Sequence, residues 1–71
     1  MTINPIPIKA VLKINTKETI KQIFIYNLNG ALTTTVEKNF TEIDISKLAP
    51  GIYTIMIKTN SGIVNSKFIK E

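Results

Sequence analysis

Cysteine, histidine, arginine and tryptophan are all absent from this chain, and each absence removes a class of explanation. Without cysteine there is no disulfide to staple a small fold and no thiolate nucleophile. The same absence fits a reducing cytosol and an exported protein equally well, so it assigns no compartment. Without histidine the usual general base and the commonest transition-metal ligand are missing. Without arginine there is no bidentate phosphate fork, and without tryptophan the largest stacking surface for a sugar or a base is gone. Long apolar runs are missing as well. No window approaches the roughly 20 residues of a membrane-spanning helix, and the N-terminus lacks the basic segment and apolar run of a signal peptide.

What is present is a chain of 71 residues, 44 % hydrophobic, which holds one small core and leaves no room for a second domain, so residues 1–71 read as one unit. A chain of this size buries only about 60 % of its unfolded surface, and its stability has to come from well-patterned β-sheet. The net charge of +4 comes from lysines at 9, 13, 17, 21, 38, 47, 58, 67 and 70 against five acids. They are dispersed and not interleaved with aromatics, as on solvated sheet faces and guarded strand edges. A nucleic-acid surface clusters its cations, so none is expected.

Extended segments follow one another with no convincing helix. Ile8 to Ile14 is the first, ended by the polar stretch Asn15 to Thr19. In Ile20 to Leu28, Ile23 and Ile25 share one face, with Phe24, Tyr26 and Leu28 on the other, the pattern of a central strand with partial cover on its second side. Asn29-Gly30 predicts a tight type I′ hairpin turn that returns the chain as Ala31 to Val36. Beyond a polar loop at 37–39, Thr41 to Ile45 alternates strictly, with Ile43 and Ile45 inward and Glu42 and Asp44 outward. Ser46 to Ala49 reads as a single helical turn capped by Ser46, with Leu48 plugging the core. Pro50-Gly51 then occupies the second and third positions of a type II turn. Ile52 to Lys58 places Tyr53, Ile55 and Ile57 on one face, and the turn at Asn60-Ser61-Gly62 brings back Ile63 to Lys70. Six to seven short strands joined by turn residues predict an all-β fold, a small antiparallel β-sandwich.

Candidate chemistry is sparse. Of the carboxylates Glu18, Glu37, Glu42, Asp44 and Glu71, Glu42 and Asp44 share a strand face and are the one pair placed to act together, as glycosidase-type acids or calcium ligands. Two carboxylates on a wet strand face more commonly serve solubility. Asn39-Phe40-Thr41 matches the N-glycosylation triplet and reads as a loop. Phe24, Tyr26 and Tyr53 are possible members of an aromatic sugar platform, but their places inside strand patterns favour core packing. Phe68 can serve either the core or a partner. No catalytic residue, metal site or cofactor is expected.

An ordered set of motifs carries more information than any of these. Asn4-Pro5, Val11-Leu12-Lys13-Ile14, the run Ile23-Phe24-Ile25-Tyr26-Asn27-Leu28-Asn29-Gly30, the run Ile43-Asp44-Ile45-Ser46-Lys47-Leu48-Ala49-Pro50-Gly51-Ile52-Tyr53, and Lys67-Phe68-Ile69-Lys70 follow one another over nearly the whole chain. In that order they resemble the C-terminal sorting domain of proteins exported by the type IX secretion system of Bacteroidetes. Ala49-Pro50 stands where many relatives have glycine or serine, and Ala31 where a basic residue often follows the hairpin; both departures touch turns and surface.

The resemblance implies an immunoglobulin-like β-sandwich at the end of a cargo protein, acting as a non-catalytic address label. The cargo reaches the periplasm by the general secretory route, so its leader would stand upstream of Met1, with Met1-Thr2 not native to it. The folded tail then directs passage across the outer membrane to the cell surface or medium. Its implied partners are the translocon and shuttle proteins, a sortase-like surface protease that removes it, and the cargo domain N-terminal to it. Mapped onto this chain, Lys67, Phe68, Ile69, Lys70 and Glu71 form the end read by the machinery. Asn29, Gly30, Pro50, Gly51, Tyr53 and Gly62 are turn and fold determinants. Two other readings are a structural spacer between domains of a secreted protein and a carbohydrate-binding module, the latter poorly equipped with two tyrosines, three phenylalanines and no tryptophan.

Overall fold

The computed structural model of this chain describes residues 2–4 and 10–71. Seven strands are present among them: β1 (Thr2–Asn4), β2 (Val11–Asn15), β3 (Ile20–Tyr26), β4 (Leu32–Val36), β5 (Glu42–Asp44), β6 (Gly51–Thr59) and β7 (Gly62–Lys70). They form two antiparallel sheets, one of order β1-β2-β5 and one of order β4-β3-β6-β7. The short β1, which the sequence pattern did not signal, pairs with β2 as Ile3 opposite Ile14. The first expected strand began at Ile8, and residues 8 and 9 lie outside the described residues; Ala10 is in a bend and the strand opens at Val11.

Period-two alternation makes this a sandwich. Leu12 and Ile14 of β2 and Ile43 and Ile45 at β5 point from the small sheet into one apolar cluster. Ile23, Ile25, Tyr53, Ile55, Ile57 and Phe68 enter it from the large sheet. β-Branched isoleucine suits this position, because its stiff side chain fits a pleated, buried surface at little entropic cost. Ile20, Val36, Phe40 and Leu48 close the margins of the same cluster, Leu48 in the plugging role its position suggested. β3 is flanked by β4 and β6, as its two apolar faces implied.

The turns depart from the simplest sequence reading. Neither Leu28 nor Asn29 has positive φ, whereas Gly30 has φ 83°, so Asn29-Gly30 is not the type I′ turn expected. The Gly30 N–H donates to the Asn27 carbonyl at 2.9 Å and the Asn27 N–H to Ala31 at 2.9 Å. This is a three-residue loop in which glycine alone takes the left-handed conformation. Asn27 organises it, its Oδ1 accepting from the N–H groups of Asn29 and Ala31, each at 3.0 Å. Leu28 consequently leaves the strand and is 77 % exposed. The register jumps from Ile25 opposite Thr34 to Tyr26 opposite Leu32, which leaves Thr33 as a bulge. Its hydroxyl donates to the Ile25 carbonyl at 3.0 Å.

At the other corner the hydrogen-bonded turn is Ile45 to Leu48, closed by Leu48 N–H to the Ile45 carbonyl at 3.0 Å. Asp44, and not Ser46, caps it, accepting the Ser46 N–H at 2.9 Å. Gly51 has φ 154° and opens β6, far from the roughly +80° of the third position in a type II turn. Tyr53 fastens this corner by donating its hydroxyl to the Ala49 carbonyl at 2.6 Å.

These turns yield two predictions. Asn27→Ala removes the acceptor of two turn N–H groups and should cost about 1 kcal/mol, whereas Asn29→Ala should cost only a few tenths. Urea unfolding midpoints of the two variants check this, and equal losses would refute the division of labour. The Asp44 carboxyl is held below its ordinary value of 3.8 by its hydrogen bonds from Ser46, side chain first and backbone second, with Lys47 adding a smaller attraction. A depressed folded-state value contributes stability above the unfolded value and loses it as pH falls through the folded one. The advantage of wild type over Asp44→Asn should therefore be full above pH 3.8 and fade at lower pH, as read from unfolding curves at a series of pH values.

Candidate functional site

The candidate recognition segment lies on β7, and alternation divides it between two faces. Phe68 is 1 % exposed and part of the core. Its ring stacks on Tyr53, with centroids 5.4 Å apart and planes inclined by 16°. Lys70 is also buried, its ammonium donating to the Glu71 carbonyl at 3.0 Å. Lys67, Ile69 and Glu71 are exposed. The five residues singled out from the sequence are thus contiguous in the chain without forming one surface: Phe68 and Lys70 face inward, Lys67 and Ile69 outward.

β7 is the edge of the four-stranded sheet and pairs with β6 along its whole length, from Gly51 opposite Lys70 to Thr59 opposite Gly62. The hairpin is closed at Asn60-Ser61. The Thr59 hydroxyl donates to the Gly62 carbonyl and accepts the Ser61 N–H, both at 3.1 Å. The Ser61 hydroxyl reaches Glu18 on the preceding loop, and the Asn60 N–H donates to Thr19 at 3.0 Å. The far end of the hairpin is therefore tied to the β2–β3 connection. Counted from the two-residue turn, antiparallel pairing alternates so that residues 63, 65, 67 and 69 direct their N–H and C=O groups away from β6.

The outer face of this sheet is also defined by the register. Ile52 stands opposite Ile69, Thr54 opposite Lys67 and Tyr26, Met56 opposite Asn65 and Phe24, and Lys58 opposite Ile63. Phe24 and Tyr26 lie half-buried here while Tyr53 is buried on the core face, so the three aromatics considered as a sugar platform do not share a surface. Glu42 and Asp44 are exposed on β5 of the other sheet, with Asp44 engaged in its turn. Among the described residues no group of three His, Cys, Asp or Glu side chains is placed to hold a metal ion. Asn39 is exposed in its loop with φ 56°. No helix among them is long and apolar enough to cross a membrane.

Sequence reasoning identified β7 but missed the surface beside it. The apolar outer residues of β6 and β7 looked like ordinary strand pattern, and only the pairing register brings Ile52 next to Ile69. Asn27 was missed for a similar reason, since the neighbouring Asn-Gly pair carried the stronger turn signal.

Neither a curated protein nor a solved structure matches this chain. A family model does, and over the stretch that contains every strand described: the model of the secretion system C-terminal sorting domain spans residues 2–71. This all-β chain belongs to that family, the C-terminal sorting signals of type IX secretion, which mark proteins for transport across the outer membrane.

Proposed function

We propose that this domain exports a cargo protein fused to its N-terminal side by offering β7 as a strand to the type IX translocon. The observation that carries this reading is the inequality of the sheet edges. β7 is nine residues long and pairs without a register shift, whereas β4, the opposite edge of the same sheet, is five residues with a bulge at Thr33. β1 and β5, the edges of the small sheet, have three residues each. A long unpaired edge is a template for strand addition, in which backbone hydrogen bonds supply affinity and alternate side chains supply selectivity. Lys67 and Ile69 are the outward side chains available for that selection, while Phe68 anchors the strand in the core and Lys70 also turns inward.

Further steps of the proposal follow the family. The domain has no catalytic role, shuttle proteins carry it from the translocon, and a sortase-like protease at the surface removes it. Its sandwich is of the immunoglobulin-like kind, and its host is a member of the Bacteroidetes.

The primary test is export of a fluorescent reporter carrying a Sec signal and this 71-residue tail, in a Bacteroidetes host with and without a working translocon. Fluorescence at the surface or in the medium should require both tail and translocon; a reporter left in the periplasm of both strains overturns the reading. Deleting Lys67 to Glu71 is a poor second test, because it removes Phe68 from the core. Phe68→Ala alone should cost about 3–5 kcal/mol, enough to unfold so small a domain.

Asn65→Pro separates strand reading from folding. Its N–H points away from β6, so proline is tolerated there as on other sheet edges while one donor for an added strand disappears. Export should fall while the thermal midpoint of the tail stays within a few degrees of wild type. Undiminished export would exclude strand addition at this edge.

A further inference from the structure

The four-stranded sheet also carries an outer face, which shares Lys67 and Ile69 with the strand-edge reading and extends from them across β6 to β3. Its outer face exposes Ile52 and Ile69 side by side, 45 % and 48 % accessible; beyond the Tyr26, Thr54 and Lys67 row, half-buried Met56 lies between Phe24 and Asn65. Two exposed isoleucines side by side on one sheet face form a small contiguous apolar area, unlike single apolar residues scattered over a surface. Two exposed lysines are interleaved with these residues on the same face: Lys67, beside Thr54, stands between the Ile52–Ile69 pair and the Met56 row, and Lys58 stands beside Ile63.

The charge on this sheet has one sign. No aspartate or glutamate occurs in β3, β4, β6 or β7. Glu42 and Asp44 lie on the other sheet, Glu18 and Glu37 in loops, and Glu71 after β7. An occupant of this face therefore meets exposed apolar side chains with Lys67 and Lys58 among them and no anion on the strands themselves, Glu71 following just after β7. We infer that the face docks a protein surface of the type IX machinery in which carboxylates are interspersed among apolar side chains, alongside strand addition at β7. This rests on the export reading above and adds the chemistry of the partner to it.

Two alternative occupants fit less well. A second copy placed face to face would oppose lysine to lysine with no carboxylate to answer them, and like charges juxtaposed at an interface disfavour that partner. An anionic lipid surface is typically held by clusters of about four to eight basic residues, whereas this face presents Lys58 and Lys67, and its Thr54 and Asn65 side chains suit hydrogen bonding to another protein. Strand addition and face docking are compatible, because residues 63, 65, 67 and 69 turn their backbone groups to the edge while their side chains lie on this face.

The test uses the exported reporter with its complete tail. Reversing both charges, Lys58→Glu with Lys67→Glu, should reduce export by roughly tenfold or more, since an acidic partner would then be repelled. Lys58→Arg with Lys67→Arg should export as wild type does. Both side chains are exposed, so the thermal midpoint of the purified tail should move little in either variant. In the companion measurement, wild-type tail should cosediment with outer-membrane fractions containing the translocon more than with fractions lacking it. That excess should weaken as salt rises and vanish for the reversed variant. Unchanged export and cosedimentation of the reversed variant, with wild-type tail still exported, overturn the face proposal and leave the sorting reading intact. Loss of wild-type export in the presence of the translocon overturns both. Lysine-dependent binding to phosphatidylcholine vesicles containing phosphatidylglycerol, or lysine-independent self-association of the tail through this face, also overturns it.

Discussion

The stack of Phe68 on Tyr53 is the aromatic contact through which the edge strand enters the core. An aromatic pair of this kind contributes about 0.5–1.5 kcal/mol beyond the area it buries, and here it joins β7 to β6 side by side at one pairing position. Tyr53 then passes the constraint on, since its hydroxyl holds the Ala49 carbonyl at the corner where the chain leaves the small sheet. One tyrosine thus links the edge strand, the sheet interior and the inter-sheet crossing. With no disulfide available, this linkage replaces a covalent staple by shape and hydrogen bonding.

The same alternation explains which parts of the structure were readable from sequence. Ile43 and Ile45 fall on the core side where period-two patterning put them, and the groups it placed on one face, Ile23 with Ile25 and Tyr53 with Ile55 and Ile57, enter the core together, because a pleated strand offers no other way to bury every second residue. The two hairpins were equally legible in outline. Their details were not, because turn type depends on competition among neighbouring side chains. Asn29-Gly30 carries a strong type I′ signal, yet Asn27 captures two N–H groups and shifts the reversal one residue back, leaving Gly30 alone with positive φ. Asp44 likewise displaces Ser46 as the cap of the next turn. β1 escaped notice for another reason: a three-residue strand has too little pattern to detect and exists by virtue of its partner.

Legibility of the site divides along the same line. The run Lys67-Phe68-Ile69-Lys70 was visible as a motif, but a motif is a line of residues and a strand has two sides. Phe68 and Lys70 are core-facing and Lys67 and Ile69 outward, so a substitution in the motif changes either folding or surface, seldom both. That separation is invisible in the sequence of the segment alone; it follows from its pairing with β6, where Tyr53 faces Phe68 and Ile52 faces Ile69.

An exposed edge of nine residues is a hazard in a small protein, and the structure contains the hazard without removing it. β4 is protected by its shortness and by the Thr33 bulge, whose extra residue and added twist disfavour a further flat strand. β7 has no bulge, and its defence is charge: Lys67 on the outer face opposes a second lysine-bearing edge approaching in the same orientation. Such a defence is selective. It discourages pairing between copies of this domain yet favours a strand or surface that brings carboxylates, and it does so without a buried ion pair that would cost desolvation. Lysine content that looks dispersed along the chain is therefore asymmetric once the strands are assembled. Glu42 and Asp44 lie on the small sheet, Glu18 and Glu37 in loops and Glu71 just after β7, so the strands of the large sheet carry only cations.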